Sequence, residues 1–587
     1  MWNVVTLVGV LVTAVTIPPV LLQIKNHPRG LFVLFFAEMW ERFSYYGMRG
    51  ILITYMTQHF LFDDRVAQGQ FGAYASLVYL MPLVGGFLAD KLLGTRKAIA
   101  FGALLLVAGH CAMAVEQAPA KQHLTYQGQT YDFLSEGRQD QRQVRLLVDG
   151  QPYEFGPAAD GGVAIEGLPA GASLPSTLPA GSFEMSVSGV IPFYEAFFYI
   201  AMSLIIMGVG FLKPNISSIV GQLYGKDDPR RDSGFTLYYY GINLGAFWAS
   251  ILCAGLGMTL GWAWGFGLAG LGMLAGYVVF VMGKPLLDGK GEPPNPEALK
   301  KPVLGPLNAE WLTYLGAIAG VGVVYYLVQR EATVNWLLLI CSIAILIYFV
   351  AYMLRKCTAV EAQRLILALI LIAVSTVFWT LFELAGSALN QFAERNTQLP
   401  SDGFWSISSG QTQSFNAGFI LLLAPAFAAL WVFLQKRKQE PNDPLKFALA
   451  LIQVGAGFLV LIWGAAYADE QARVPLIFLV LLYLLHTTGE LCLSPVGLSA
   501  MTKLAPAAVL ATAMATWFLS SSAAQALGAQ IAMLTAQDTV GGRVLDPQAA
   551  LATYVDVFQQ LGAGAITLGL ALAGVSPWLK KLAHRGE

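Results

Sequence analysis

The chain consists largely of apolar runs of about twenty residues, joined by short polar connections. A run of that length is sufficient for an α-helix to cross the hydrocarbon core of a bilayer. Only 12% of the residues are charged, against roughly 25% in an average soluble domain. The sequence therefore predicts an all-α polytopic membrane protein and excludes soluble, disordered and collagen-like chains. Predicted spans lie near 2–24, 31–58, 70–90, 97–115, 192–212, 235–258, 263–283, 311–329, 335–354, 365–392, 415–435, 446–467, 475–500, 508–533 and 552–579.

Lysine and arginine clusters fall on alternate connections between these spans. The positive-inside rule places such connections in the cytoplasm. We therefore expect a multi-pass protein of the cell inner (plasma) membrane with a cytoplasmic C-terminus and, after fifteen crossings, an external N-terminus. The basic residues are scattered and the net charge is −1, which argues against a nucleic-acid partner. The clusters are Lys25/Arg29, Lys91/Arg96/Lys97, Lys226/Arg230/Arg231, Lys300/Lys301, Arg355/Lys356, Lys436/Arg437/Lys438, Lys503 and Lys580/Lys581/Arg585.

The first span differs from a signal peptide, because its basic residues follow the apolar stretch and no small-residue cleavage site is visible. We predict an uncleaved extra helix within residues 1–26, which Pro18 and Pro19 bend or end. Two interpretations stay open: a functional helix, or a loosely packed leader without a role in the mechanism.

Residues 116–190 form a hydrophilic insert with nine acidic and four basic residues, on the side opposite to the basic connections. Asp149-Gly150 supplies the positive φ angles of a type I′ turn, so 144–148 and 151–155 are predicted to form a hairpin. Isolated hairpins are marginally stable, so further strands are expected at 125–134 and 163–168. The Leu- and Pro-rich stretch that follows has the composition of a linker. We expect an external β-rich appendage that supplies neither proton nor substrate contacts.

The five cysteines and six histidines show no paired or ligand-like spacing. This pattern predicts neither a disulfide framework nor a metal site.

Charged residues inside the spans carry the functional information, because each costs several kcal/mol unless it is paired or faces a wet cavity. On one predicted helix Glu38, Glu41, Arg42, Tyr45, Tyr46 and Arg49 share an arc of roughly 140°. Such a stripe must face the interior of a bundle. Structural ion pairing is the simpler alternative, but four charges and two hydroxyls exceed what packing requires.

Lone charges in three other spans complete the set. They are Lys213, Glu383 and Glu490. Together the acids and bases nearly balance in a central cavity. A carboxylate that exchanges basic partners there can take up and release a proton, which is the chemistry of coupled transport.

Four segments carry a family resemblance. They are Glu38-x-x-Glu41-Arg42-Phe43-x-Tyr45-Tyr46-Gly47, Gly85-Gly86-x-Leu88-Ala89-Asp90-Lys91-x-x-Gly94-x-Arg96-Lys97, Phe235-Thr-x-x-Tyr238-x-x-x-Ile242-Asn243-Leu244-Gly245 and Gly489-Glu490-x-x-x-Ser494-Pro495-x-Gly497. In this order they resemble the motifs of the proton-dependent oligopeptide transporters of the major facilitator superfamily. The resemblance runs from about His27 to Lys581, apart from the insert.

The resemblance implies two six-helix bundles around a central cavity, with two additional helices between them. The expected division is 1–26 for the extra helix, 27–284 for the first bundle, 285–360 for a cytoplasmic linker with the two additional helices, and 361–587 for the second bundle. The extra helix and the insert depart from the usual plan of the family.

The resemblance also implies the roles of individual residues. The residues implied in proton coupling are Glu38, Glu41, Arg42 and Glu383. Glu490, assisted by Asn416, is expected to bind the peptide amino terminus, whereas Arg49 and Lys213 are expected to bind its carboxylate and to act as switching partners of the acids. The residues expected to line the cavity are Tyr45, Tyr46, Tyr79, Asn243, Trp379, Trp517 and Ser521. Animal members carry a histidine where this chain has Gly72, so carboxylates alone are expected to carry the proton.

The prediction is a proton-coupled symporter that imports di- and tripeptides by alternating access, as a monomer without a cofactor. A porter of the same fold for nitrate or a peptide-like drug is the nearest alternative. A multi-pass membrane enzyme is a further one, but no nucleophile–base pair, metal cluster or phosphate-binding glycine loop stands out.

Overall fold

A computed structural model of the chain describes residues 3–137, 142–158, 161–225 and 228–583. Within them, a long helix occurs at each of the fifteen predicted spans, and thirteen candidate spans are apolar enough to cross a membrane by length and composition. The helices are α1 (Val4–Ile24), α2 (Arg29–Gln58), α3 (Asp64–Leu88), α4 (Thr95–Met113), α5 (Pro192–Gln222), α6 (Arg231–Thr259), α7 (Trp262–Met282), α8 (Pro296–Lys300), α9 (Ala309–Val328), α10 (Glu331–Lys356), α11 (Ala359–Phe382), α12 (Ala388–Arg395), α13 (Ser409–Thr412), α14 (Ser414–Lys436), α15 (Asp443–Ala465), α16 (Leu476–Leu504), α17 (Leu510–Leu534) and α18 (Pro547–Leu582).

The helices pack as two bundles. Helices α2 to α7 pack mainly on one another, and α11 to α18 form the second group. The bundles meet at two seams, where α3 contacts α17 and where α6 contacts α14. Helices α9 and α10 lie along the α3/α17 seam, because α9 packs on α5 and α3 while α10 packs on α17 and α3.

The extra helix α1 lies along the other seam and contacts both α6 and α14. Asn3 caps it by accepting a hydrogen bond from the Thr6 amide, and its side-chain amide donates to the carbonyl of Ser406 at 2.8 Å. Further along, the Trp248 indole of α6 donates to Thr13 at 3.0 Å. The helix continues through both prolines to Ile24, so the prediction that they could end it was wrong. These contacts tie the helix to both halves.

The insert is rich in β-strands, as expected. One antiparallel sheet has the order β4-β3-β2-β1-β8, and a second has the order β5-β6-β7. Alternate residues of β3, including Val144, Leu146 and Val148, point into an apolar core between the sheets. The strands are β1 (Lys121–Tyr126), β2 (Gln129–Glu136), β3 (Gln143–Val148), β4 (Gln151–Tyr153), β5 (Phe155–Pro157), β6 (Val163–Ile165), β7 (Thr177–Leu178) and β8 (Phe183–Ser188).

The predicted Asp149-Gly150 hairpin is present, with φ angles of 52° and 78° at these two residues. Three details of the prediction were wrong. The expected strand 125–134 is two strands, because Gln127 and Gly128 adopt positive φ and turn the chain. The stretch 151–155 divides between two sheets, and the expected linker contains β7 and β8.

Short strands follow in the rest of the chain. Two of them, β13 (Thr539–Val540) and β14 (Arg543–Val544), form a hairpin between α17 and α18. This hairpin belongs to the second bundle and lies on the same side of the helices as the insert. The others are β9 (Pro302–Leu304), β10 (Leu307–Asn308), β11 (Thr397–Gln398) and β12 (Val474–Pro475). We call the face of the protein that carries the insert and the β13/β14 hairpin the insert side, and the face that carries the basic connections the basic side.

Candidate substrate and proton site

The charged stripe of α2 is buried in the first bundle. Glu38, Glu41 and Arg42 are 1%, 0% and 7% exposed. Arg42 Nε donates to Glu38 Oε1 at 2.9 Å and lies 3.1 Å from Glu41 Oε2. The N–H is directed to Glu38, so Glu41 accepts no hydrogen bond among the described residues. Glu41 is therefore a buried carboxylate in ion-pair contact with Arg42, without a hydrogen bond from a described residue.

Lys213 on α5 belongs to the same charge cluster. Its Nζ lies 3.8 Å from the centre of the Tyr79 ring, a cation–π contact. It is also close enough to Glu41 and Arg42 to interact with both electrostatically. The cluster thus joins α2, α3 and α5 within the first bundle.

An ion pair between Arg49 and Glu383 joins the two bundles. Arg49 is on α2 and its Nη2 contacts the Glu383 carboxylate; the same nitrogen donates to the Glu383 backbone carbonyl at 3.2 Å. Both side chains are more than nine-tenths buried. Since a desolvated charge without its partner is costly, separating these two side chains without new partners is unfavourable.

The second bundle supplies this contact at a break in a helix. The predicted span 365–392 is interrupted, because α11 ends at Phe382, a single turn follows over Glu383–Gly386, and α12 starts at Ala388. The break leaves the Glu383 carbonyl free to accept from Arg49. Gly386 makes room for the guanidinium, since a Cβ there would lie 2.5 Å from Arg49 Nε. Sequence periodicity continued through this region and gave no sign of the break.

Gly386→Ala tests whether the position of Arg49 matters. The added methyl group should displace the guanidinium and lower peptide affinity by roughly tenfold to a hundredfold, because small misplacements in a site are costly. Dialanine binding to purified protein would measure this, with Gly564→Ala as the control, since a Cβ at 564 meets no atom within 4 Å. An unchanged affinity in both variants would contradict a role for the Arg49 position.

A second polar group surrounds Glu490 on α16, which is 7% exposed. The Asn416 side chain, on α14, donates to Glu490 Oε2 at 3.1 Å and to Thr487 at 2.9 Å. Tyr239 on α6 is also close enough to Glu490 to interact with its carboxylate. The expected pairing of Asn416 with Glu490 is present. Tyr239 was not singled out from the sequence, although it adjoins the quoted Tyr238, because nothing in the motif distinguishes their side-chain directions.

A cavity of about 120 Å³ lies beside Glu383. Five of the predicted residues line it, together with Ser494 and Gln525, which the sequence analysis did not assign. The predicted five are Tyr79, Trp379, Glu383, Trp517 and Ser521. Both bundles contribute, because Tyr79 comes from α3 and the others from α11, the turn after it, and α17.

Three other residues predicted to line the cavity, Tyr45, Tyr46 and Asn243, are not among its lining residues. Tyr45 is 1% exposed and packs edge-on to Tyr46 at a centroid distance of 5.2 Å. The Asn243 side chain is buried and donates to the Tyr239 carbonyl at 3.0 Å. Asn243 therefore contacts the backbone of Tyr239, the α6 residue close to Glu490.

Comparison with known proteins decides the family. The POT family model matches residues 96–546, more than half of the chain. The chain belongs to the POT family. The Di-/tripeptide transporter of Lactococcus lactis is 30% identical to this POT chain over 95% of its length and 97% of the relative. The Uncharacterized transporter YclF of Bacillus subtilis is 35% identical over 87% of the chain and 88% of the relative.

Solved structures of peptide transporters are also similar to this chain. A crystal structure of the peptide transporter POT in complex with sulfate is 35% identical, has a TM-score of 0.70, and covers 95% of this chain and 96% of that one. A mutant of the peptide transporter POT in complex with alafosfalin has the same TM-score, identity and coverage. The expected major facilitator fold, with two six-helix bundles, two helices between them, an extra N-terminal helix and a β-rich insert, is confirmed.

In this POT protein a polar network closes the two bundles together on the insert side. Arg395, at the end of α12, forms a two-pronged ion pair with Asp64, at the start of α3, at 2.5 and 2.8 Å. Gln58 of α2 donates to Glu394 at 2.5 Å. The sequence analysis missed this network, because its members lie at helix ends where charged residues are common.

Proposed function

We propose that the chain is a proton-coupled symporter that imports di- and tripeptides by alternating access between its two bundles. The observation that carries this is the buried Arg49–Glu383 pair, which joins the bundles and whose Glu383 lines the cavity between them. The names of the relatives support the substrate class. They are a Di-/tripeptide transporter and Dipeptide and tripeptide permease A.

A peptide carries a positive charge at its amino terminus and a negative charge at its carboxyl terminus, and the buried charged groups of the site are complementary to both. Glu490 binds the amino terminus, and Asn416 keeps its carboxylate oriented by a hydrogen bond of 3.1 Å. Arg49 and Lys213 bind the carboxyl terminus. In a cavity of low dielectric such complementary charges interact strongly. The aromatic walls formed by Tyr79, Trp379 and Trp517 accept varied side chains without a fixed polar partner.

Two carboxylates carry the proton. Glu41 is fully buried and accepts no hydrogen bond among the described residues, so a proton adds to it without breaking one. A proton on Glu383 removes the charge that holds Arg49. The guanidinium is then free to take the peptide carboxylate, and the bundles can separate on the insert side. Glu38 holds Arg42 in place throughout.

The proposal includes an orientation in the membrane and a division of the chain into domains. The basic side faces the cytoplasm and the insert side faces outward, in agreement with the positive-inside rule. The C-terminus is then cytoplasmic and the N-terminus external. Residues 27–284 and 361–587 are the two moving bodies, with 1–26 and 285–360 beside them. A single copy contains a complete site, so the monomer is the working unit.

Uptake of radiolabelled dialanine into proteoliposomes tests the function. An inward proton gradient should drive uptake, and a protonophore should abolish accumulation against the peptide gradient. Nitrate or an unmodified amino acid at the same concentration should not compete. Uptake that ignores the proton gradient, or competition by nitrate alone, would contradict the proposal.

A further inference from the structure

The insert and the second bundle are joined at the hairpin between α17 and α18. The turn of this hairpin is Gly541-Gly542, with φ angles of 58° and 78°. Both angles are in the left-handed region that favours glycine. The turn lies between the insert on one side and the end of α2 on the other.

The fit of this turn is tight on both faces. A Cβ at position 541 would lie 2.7 Å from Val144 Cγ1 of the insert and 2.9 Å from Ser135 Oγ. A Cβ at position 542 would lie 2.9 Å from the carbonyl oxygen of Thr57 in the first bundle. Two glycines thus allow a hairpin of the second bundle to enter a space whose walls belong to the insert and the first bundle.

Polar contacts fix the turn in that space. The Gly541 amide donates to the side chain of Gln122, on β1. The Gly541 carbonyl accepts from Arg142 Nε at 2.7 Å. The same guanidinium donates through Nη2 to the Gln58 carbonyl, at the end of α2, at 3.2 Å. Arg142 therefore bonds to both bundles at once.

An apolar contact adds to these bonds. Val540 is 4% exposed and belongs to the same buried cluster as Leu124, Val144 and Leu146 of the insert. The second bundle thus contributes a side chain to the hydrophobic core of a domain that is inserted in the first bundle. A loose spacer would neither share its core with the opposite half nor form side-chain hydrogen bonds to the backbone of that half.

We propose that the insert is a clasp that holds the two bundles together on the insert side and sets how often that side opens. The clasp consists of Gln122, Val144 and Arg142 closing around Val540 and Gly541. Opening on this side separates α2 from the hairpin, so these contacts must break in every cycle. The proposal rests on the alternating-access function proposed above.

The clasp works beside the Asp64–Arg395 pair, so its loss weakens closure without removing it. Loss of two hydrogen bonds should raise the population of the form open on the insert side by about tenfold. Through the clasp, an appendage without substrate contacts sets the rate of opening and leaves the peptide site unaltered.

Distance measurements between spin labels test the clasp without any substrate. Cysteines at Val66 on α3 and Ala552 on α18, both exposed near the insert side, report the separation of the bundles in a background lacking the five native cysteines. The double variant Gln122→Ala, Arg142→Ala should populate longer distances. Arg145→Ala is the matched control, because Arg145 pairs with Glu136 inside the insert. Identical distances in the clasp variant and the wild type would overturn the proposal.

A disulfide cross-link across the clasp should have the opposite effect to the double variant, because it holds the insert side closed. A Cβ at 541 lies close enough to Val144 for a disulfide between Val144→Cys and Gly541→Cys. Oxidation should stop dialanine uptake and reduction should restore it, while dialanine still binds to the oxidised protein in detergent. Full uptake by the oxidised, fully cross-linked protein would overturn the clasp. If dialanine were not transported by any form but the label distances shifted as stated, the clasp would stand and the proposed substrate would fail.

Discussion

Glu383→Gln should abolish proton-driven peptide accumulation while leaving exchange of peptide across the membrane partly intact. Glutamine keeps the size of the side chain but cannot bind and release a proton. One co-transported charge gains about 2.3 kcal/mol per 100 mV, which sustains an accumulation of about fiftyfold. The variant should instead stop at equal concentrations on both sides. Glu41→Gln should behave in the same way, because Glu41 is the second carboxylate of the proposed proton path.

The measurement separates coupling from substrate binding. Proteoliposomes with an imposed potential and pH gradient give the accumulation ratio of labelled dialanine. Counterflow into vesicles preloaded with unlabelled dialanine gives the exchange rate without a gradient. Glu297→Gln is the control, since Glu297 is exposed in a connection outside the bundles. Normal accumulation by both the Glu383 and the Glu41 variant would disprove the carboxylate path.

The spans and the composition of the site followed from the sequence because both depend on local signals. A run of apolar residues is sufficient to define a membrane helix, and a charge within it must face the protein interior. The stripe from Glu38 to Arg49 was identified in this way, and all four of its charges are indeed buried. Helical periodicity fixes which residues share a face.

The sequence did not predict which side chains pair across different helices and strands, because such pairs depend on the tertiary structure. The sequence made Arg49 both a ligand of the peptide and a switching partner of the proton-carrying acids, but it did not indicate that Glu383 is the acid with which Arg49 pairs. The break after Phe382 contains no proline, and its one glycine, Gly386, is not by itself a sufficient signal of a break within a helical pattern. In the insert, Gln127-Gly128 is a weaker turn signal than Asp149-Gly150, and one strand was predicted where two form.

The hairpin at Gly541-Gly542 shows a further limit. Its two adjacent glycines signal a turn, but nothing in the sequence indicates what that turn contacts. Even with that turn identified, its partner in the insert lies about 400 residues earlier in the chain. Only the three-dimensional structure brings Arg142 and Gly541 together.

Acetylation of the peptide amino terminus should lower affinity by roughly two to four orders of magnitude. A blocked amine carries no positive charge, so Glu490 would be left buried without its partner at a cost of about 3–5 kcal/mol. In Glu490→Gln this penalty disappears, because a neutral amide does not require a cation. The variant should therefore bind dialanine weakly and should no longer distinguish it from N-acetyl-dialanine.

Competition against labelled dialanine, for both ligands and both proteins, isolates the interaction as a double-mutant cycle. Glu470→Gln, at an exposed carboxylate in the connection between α15 and α16, should keep the full discrimination. Asn416→Ala should have a smaller effect than Glu490→Gln, since it removes an orienting hydrogen bond and leaves the charge in place. Equal competition by free and acetylated dialanine in the wild type would show that Glu490 does not bind the amino terminus. Discrimination that persists in Glu490→Gln would transfer that role to another residue.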